Sequence, residues 1–266
     1  NLYGAQATLA RVYWMKGDLD SARIYADKVI RSNKFRFASK TSLNTFMQKT
    51  VSMEETIWGL YNAEVYSDWL TQHVRRQGLG DLTTDFKSIY AYEGPTGKKD
   101  YRLDNWFGTY NRSGTPVDIL VKVMGNVSDT TSLTTSYNGG PYLGTSMIRI
   151  PEMYYIMAEC DPDPQSSAEI LDMVRFKRGI ASSDATDGGK GYDEPDTREG
   201  FDSGHTRRIN EVMREYLKEY YGEGQLFYFY KRHNYVTFAN CSLVDVRTKY
   251  QFPLPENEDM FGITGK

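Results

Sequence analysis

The stretch that most constrains this chain is Arg207 to Arg232, RRINEVMREYLKEYYGEGQLFYFYKR. Ile209, Val212, Met213, Tyr216, Leu217, Tyr220 and Tyr221 recur at steps of three and four, which places them on one face of a helix, while Arg208, Glu211, Arg214, Glu215 and Lys218 fall elsewhere. The pattern predicts a helix with one buried side. Gly222 and Gly224 follow its last apolar turn, where a residue free to take positive φ closes a helix. The second apolar run, Leu226 to Tyr230, has to be covered, and periodicity leaves open whether it is strand or buried helix.

The rest of the chain supplies partners for such a helix. Leu2, Ala5, Leu9, Val12 and Tyr13 form one helical stripe, and Ala22, Tyr25, Ala26, Val29 and Ile30 a second. Gly17 ends the first helix and Asp18 caps the next, giving a tight hairpin in which Ala10, Tyr13 and Ala22 suit a tetratricopeptide-type unit. Pro151 opens a helix running to about Cys160, Asp161-Pro162-Asp163-Pro164 breaks it, and Ser166 or Ser167 caps a further helix with Ala168, Leu171 and Val174 inward, ending at Arg178-Gly179. Residues 181 to 204 read as an exposed loop. Between the hairpins, 35 to 145 is a loop-rich excursion. It holds a short strand at Thr56–Tyr61, a helix at Leu82–Tyr90, and a half-exposed strand marked by the alternation of Val117, Ile119, Val121 and Val123.

Four motifs carry a family resemblance. Arg214-Glu215-Tyr216, then Lys218 through Phe227, closing on Lys231-Arg232, resembles the C-terminal signature of the SusD/RagB glycan-binding lipoproteins. Phe252-Pro253-Leu254-Pro255-Glu256-Asn257-Glu258 is similar to the proline-flanked acidic segment with which those proteins end. Leu9-Ala10-Arg11-Val12-Tyr13 with Gly17-Asp18 is similar to their helical-hairpin repeat, and Arg149-Ile150-Pro151-Glu152-Met153-Tyr154 to Ala158-Glu159 to the helix that follows. The resemblance implies a mainly α fold with tetratricopeptide-like hairpins, organised as 1–34, 35–145 and 146–266 of one unit. It also implies a non-catalytic glycan-binding role at the cell surface, as a lipoprotein of the outer membrane that hands its ligand to a SusC-like TonB-dependent transporter. Against that family the chain corresponds to the C-terminal part of a longer protein, so an anchor and export signal are expected outside it.

Composition narrows the chemistry. A formal net charge of −3 gives no basic footprint for nucleic acid. Aromatics make up 14% of a chain whose mean hydropathy is −0.60, so much ring surface is expected at partly exposed positions or interfaces. The candidate ligand contacts are the aromatic clusters of the excursion, Tyr66 with Trp69, and Trp106 with Tyr110 and the adjoining Asn111. Sugar rings stack on flat side chains, and their hydroxyls need polar neighbours. The histidines lack ligand spacing, Asp161-Pro162-Asp163 does not complete a calcium loop, and the acids Asp184, Asp187, Asp193, Glu194 and Asp196 read as solvated loop residues. No metal and no cofactor is implied. Two other classes stay open. One is a tetratricopeptide-type adaptor for a protein or peptide. The other is a helical glycoside hydrolase, for which Glu152, Glu159, Glu215 and Glu223 are the carboxylates to examine.

Overall fold

The computed structural model describes residues 1–46, 51–62, 86–90, 100–112, 114–120, 122, 144–180, 187–238 and 241–251. The chain divides into two compact units, Asn1–Glu223 and Gly224–Lys266. In the first, helices α1 (Leu2–Lys16) and α2 (Leu19–Arg31) form the expected hairpin. Gly17 closes α1 at φ 80°, and the Asp18 side chain accepts the Ser21 N–H to cap α2.

The buried face of α1 is not the one expected. Gly4, Ala7, Ala10 and Trp14 face inward, whereas Ala5 and the aliphatics Leu2, Leu9 and Val12 lie exposed. Gly4 of this face lies against Trp58, where the lack of a side chain allows close approach, and Trp14 reaches Tyr216, so the small residues turn inward although the aliphatic stripe is more apolar. On α2 the expected Ala22, Ala26 and Val29 are buried.

Helix α3 spans Lys40–Phe46 and strand β1 Thr56–Tyr61, the latter with the predicted bounds. Of the predicted helix at 82–90, α4 covers Phe86–Tyr90, and residues 82–85 lie outside the described residues. Helix α5 (Tyr101–Trp106) leads directly into strand β2 (Phe107–Arg112), which pairs antiparallel with β3 (Thr115–Leu120) from Phe107↔Leu120 to Arg112↔Thr115. Strand β2 had no alternating signal, since Phe107-Gly108-Thr109-Tyr110 has none to give. Strand β4 (Gly144–Arg149) returns antiparallel to β1, with an irregular register around Trp58.

Helix α6 (Ile150–Cys160) starts with Pro151 in its first turn, and α7 (Pro164–Lys177) follows. The cap of α7 is Asp163, which accepts from the N–H groups of Gln165 and Ser166, rather than either serine. Carboxylate charge at that end also suits the helix dipole. Ala168, Leu171 and Val174 are buried as expected. The segment after Gly179 is less exposed than its polarity suggests: Tyr192 is fully buried and Asp196 nearly so.

Helix α8 (Arg207–Glu219) is the predicted organising helix, capped by the Thr206 hydroxyl oxygen, which accepts from Ile209 N–H. It packs against α6, α7 and α4. Its aromatic side joins the hairpin: Trp14 stacks on Tyr216 at 6.0 Å, and Tyr155 packs against Tyr216 at 5.1 Å and Tyr220 at 6.4 Å. Gly222 (φ 76°) closes the turn after it, where a Cβ would come within 2.3 Å of Leu120 Cδ2. In the second unit the open question of Leu226–Tyr230 is resolved as helix α9 (Leu226–Arg232), with Phe229 and Tyr230 buried and Tyr230 stacked on Phe238. The predicted tail motif at 252–258 lies outside the described residues.

Candidate functional site

The dominant chemical feature of the first unit is a set of buried charges on the side of α8 that the hydropathy pattern left to solvent. Glu211, Glu215 and Glu219 are 4%, 0% and 0% exposed, and Glu223 continues the same four-residue spacing. Arg178, from the end of α7, bridges Glu55 (2.8 and 3.1 Å) and Glu219 (2.7 and 3.0 Å). Arg149, from the end of β4, reaches Glu55 at 3.0 Å, Glu219 at 2.6 Å and Glu223 at 2.9 Å. Arg102 in α5 pairs with Asp100, Glu215 and Glu219, and Arg175 in α7 with Glu211 and Glu215. Lys122 pairs with Glu223 and donates to the Glu219 carbonyl at 2.6 Å, while Lys218 pairs with Glu215 at 3.2 Å. Among the described residues, six cations (Arg102, Lys122, Arg149, Arg175, Arg178, Lys218) thus meet Glu55, Asp100, Glu211, Glu215, Glu219 and Glu223, with the more exposed Asp172 also 3.8 Å from Arg175.

That pairing is what allows burial, because an unmatched interior charge is costly whereas a paired, hydrogen-bonded one is tolerated. Burial alone would raise the Glu215 carboxyl. Lys218, Arg102 and Arg175 outweigh it and hold that group well below the usual carboxylate range. Glu219 is lowered in the same way, against its burial, by Arg178, Arg149 and Arg102. Burial acts in the other direction on Lys122, bringing its ammonium down to about 8 although Glu223 opposes the shift. The network extends to the loop before α8: Asp196, held at about 2 by its hydrogen bonds with Arg198, sits beside Asn210, and Arg198 reaches Glu211. Asp193 pairs with Arg208 at 2.7 Å. Asp193 and Asp196 are therefore ion-paired, not merely solvated. Periodic glutamates at 211, 215, 219 and 223 were the sequence signal for all this.

Three of the four carboxylates considered for hydrolysis are held by cations. Glu152 is buried and clamped by Arg11 at 2.6 Å through both oxygens, and Glu215 and Glu223 belong to the network. Glu159 is buried and lines a cleft of about 620 Å³ between the α1–α2 and α6–α7 turns, with Asp18, Asp20, Asp161, Asp193 and Arg208. Among the described residues, no aromatic side chain lines that cleft.

The predicted ligand contacts separate into three groups. Tyr66 and Trp69 lie outside the described residues. Tyr110 and Asn111 stand on β2, opposite Val117 and Pro116. Trp106 requires a correction. It is 0% exposed and packs with Ala38, Leu43 and Leu120, while Lys122 Nζ lies 3.9 Å from its ring centroid and the Arg178 guanidinium 5.8 Å. Its indole covers the ionic network and offers no face to a sugar; Asn105 beside it is likewise used, donating to the Tyr101 carbonyl. Conversely, Trp58 (41% exposed) and Tyr61 (75%), expected only as residues of strand β1, present part of their rings to solvent.

No family model and no curated protein matches this chain. Solved structures do. The chain superposes on a SusD superfamily protein from Bacteroides thetaiotaomicron with a TM-score of 0.58 and 21% identity, over 88% of this chain and 50% of that one. A SusD superfamily protein from Parabacteroides distasonis gives 0.60 and 15% over 98% and 61%, and a structure described as a laminarin-binding SusD-like protein gives 0.52 and 15% over 96% and 58%. The chain thus spans between half and three-fifths of those proteins' length. With its paired helices, its two short antiparallel ladders and its central helix, it has the mainly α fold of the SusD superfamily.

Proposed function

We propose that the protein binds oligo- or polysaccharide without making or breaking a bond, at the outer face of a Gram-negative outer membrane, and passes it to a SusC-like TonB-dependent transporter. The observation that carries this reading is the likeness in fold, over nearly the whole chain, to a laminarin-binding SusD-like protein. The buried charges serve as frame rather than chemistry: their carboxyls are already committed to guanidinium and ammonium partners, and a general acid needs a proton near working pH. Tyr66, Trp69, Tyr110 and Asn111 remain the proposed contacts in the excursion, with Trp106 withdrawn from that set. Single stacking contacts are weak, so affinity comes from several sugars engaged together.

Affinity electrophoresis on a panel of purified polysaccharides tests the reading. The protein should be retarded by at least one of them, and Trp69→Ala should relieve the retardation while leaving the melting temperature nearly unchanged. Undiminished retardation with a large drop in melting temperature assigns that ring to the core instead. Release of reducing sugar from a bound polysaccharide would promote the hydrolase reading. A second reading, a protein- or peptide-binding adaptor, is favoured by one observation, the exposed aliphatic stripe of Leu2, Leu9 and Val12 on α1. Retardation by no polysaccharide is the outcome it requires.

A further inference from the structure

Between Gly224 and Gln251 the second unit reverses the sign of the whole chain's charge. Lys231, Arg232, Arg247 and Lys249 stand there against one acid, Asp245, in a chain whose formal net charge is −3. The unit's remaining acids, Glu256, Glu258 and Asp259, lie outside the described residues. Asp245 is already taken, since both its oxygens accept from the Arg247 guanidinium at 2.6 to 3.1 Å. Lys231 and Lys249 are exposed, and among the described residues neither forms an ion pair.

Three aliphatic side chains lie open beside these lysines. Val244 is 93% exposed, Val236 44% and Leu243 40%. They are close in space because the Val246 N–H donates to the Val236 carbonyl at 2.8 Å, which draws the segment holding Leu243 and Val244 back to Val236. The lysines border the same loop. Lys231 lies in the last turn of α9, to which the chain is tied by the Tyr235 N–H donating to the Tyr230 carbonyl at 3.0 Å, and the Lys249 N–H donates to the Val246 carbonyl at 2.8 Å. Rings hold the loop at both ends: Tyr230 stacks on Phe238 at 4.4 Å, and the Tyr250 hydroxyl donates to the Tyr235 carbonyl at 2.9 Å.

We propose that this loop, with Val244 at its tip and Lys231 and Lys249 at its border, is a contact for a membrane surface rich in anionic phospholipid. A side chain so fully exposed protrudes, and three aliphatics make too small a face for a stable protein interface, which takes about 800 Å² from each partner. A lipid layer sets no such threshold. It receives a protruding aliphatic at the boundary of its acyl chains while its phosphates meet the ammonium groups alongside. Charge selects the lipid, because lysines without acidic partners gain from an anionic headgroup layer and little from a zwitterionic one. This contact is independent of glycan binding.

Flotation of the full chain with vesicles tests it, using phosphatidylcholine alone and phosphatidylcholine mixed with phosphatidylglycerol at about 3:1. The wild type is compared with Val244→Ser and with the double variant Lys231→Gln, Lys249→Gln, and melting curves and light scattering are recorded on each. The wild type should float with the anionic vesicles and stay behind with the neutral ones. Val244→Ser should lower the partition about three- to tenfold, and the double substitution about tenfold or more. At exposed positions neither change should move the melting temperature, which separates binding from folding. The contact is disproved if the wild type floats with neither vesicle, if it floats equally with both, or if Val244→Ser floats as well as the wild type. It is equally disproved if Val244→Ser changes the oligomeric state but not the flotation, which assigns the tip to a second copy. Retention on polyglutamate that matches the anionic vesicles and ignores Val244→Ser assigns the lysines to an acidic protein instead, and also overturns it.

Discussion

Helices α1 and α8 look alike in sequence, each with an aliphatic or aromatic stripe and a polar remainder, yet they are buried by opposite means. Helix α1 turns glycine and alanine inward and leaves Leu2, Leu9 and Val12 exposed. Helix α8 buries Val212 and Tyr216 but also Glu211, Glu215, Lys218 and Glu219, leaving Ile209, Met213 and Leu217 only half-buried. Hydropathy decides neither case. Close approach decides the first, and mutual neutralisation the second.

The sharpest way to break the comparison is Glu219→Gln. It leaves Arg178, Arg149 and Arg102 short of a charge they surround, and should cost about 3–5 kcal/mol in chemical denaturation. A loss below 1 kcal/mol would mean that the pairs are not coupled to folding. The same network sets a pH dependence. Glu215 and Glu219 are lowered in the folded state, so their contribution is complete above the ordinary carboxylate range and is lost as pH falls below it toward their folded values. Denaturation midpoints should therefore decline steadily from about pH 5 downward. Lys122 gives the same slope in a more alkaline window: burial brings its folded value down to about 8, below its unfolded one, so stability rises as pH goes from about 8 to 10.

On α1 the effects are smaller and run against hydropathy. Ala10→Leu, which adds apolar volume at a fully buried position, should destabilise by about 1–3 kcal/mol, whereas Leu9→Ser, which removes it at an exposed one, should stay within about 0.5 kcal/mol. Thermal melts of the two variants side by side would reverse the assignment of faces if the serine proved the more harmful.

The legible parts of the fold were those set by local chemistry. Gly17-Asp18 marked the first hairpin, Pro151 the start of α6, and the β-branched and aromatic run at 56–61 the limits of β1. What depended on distant partners was not legible. The face of α1 is chosen by α2 and α6, and the burial of Glu215 by Arg102 and Arg175, which lie 113 and 40 residues away. The candidate site suffered most, because nothing local distinguishes an interior indole from an exposed one. Trp106, in a polar neighbourhood of Asn105 and Asp104, is sealed inside by Leu43 and Leu120, while Trp58, in a more apolar stretch after Ile57 and packed against Gly4, keeps 41% of its surface open.

Acrylamide quenching of tryptophan fluorescence, with and without saturating laminarin, tests most directly whether exposed rings meet the glycan. Trp14 and Trp106 are 1% and 0% exposed and should be poorly quenched throughout, whereas the accessible fraction should shrink when the polysaccharide is present. A protein that laminarin retards in a gel, but whose quenching it leaves unchanged, would contradict the account.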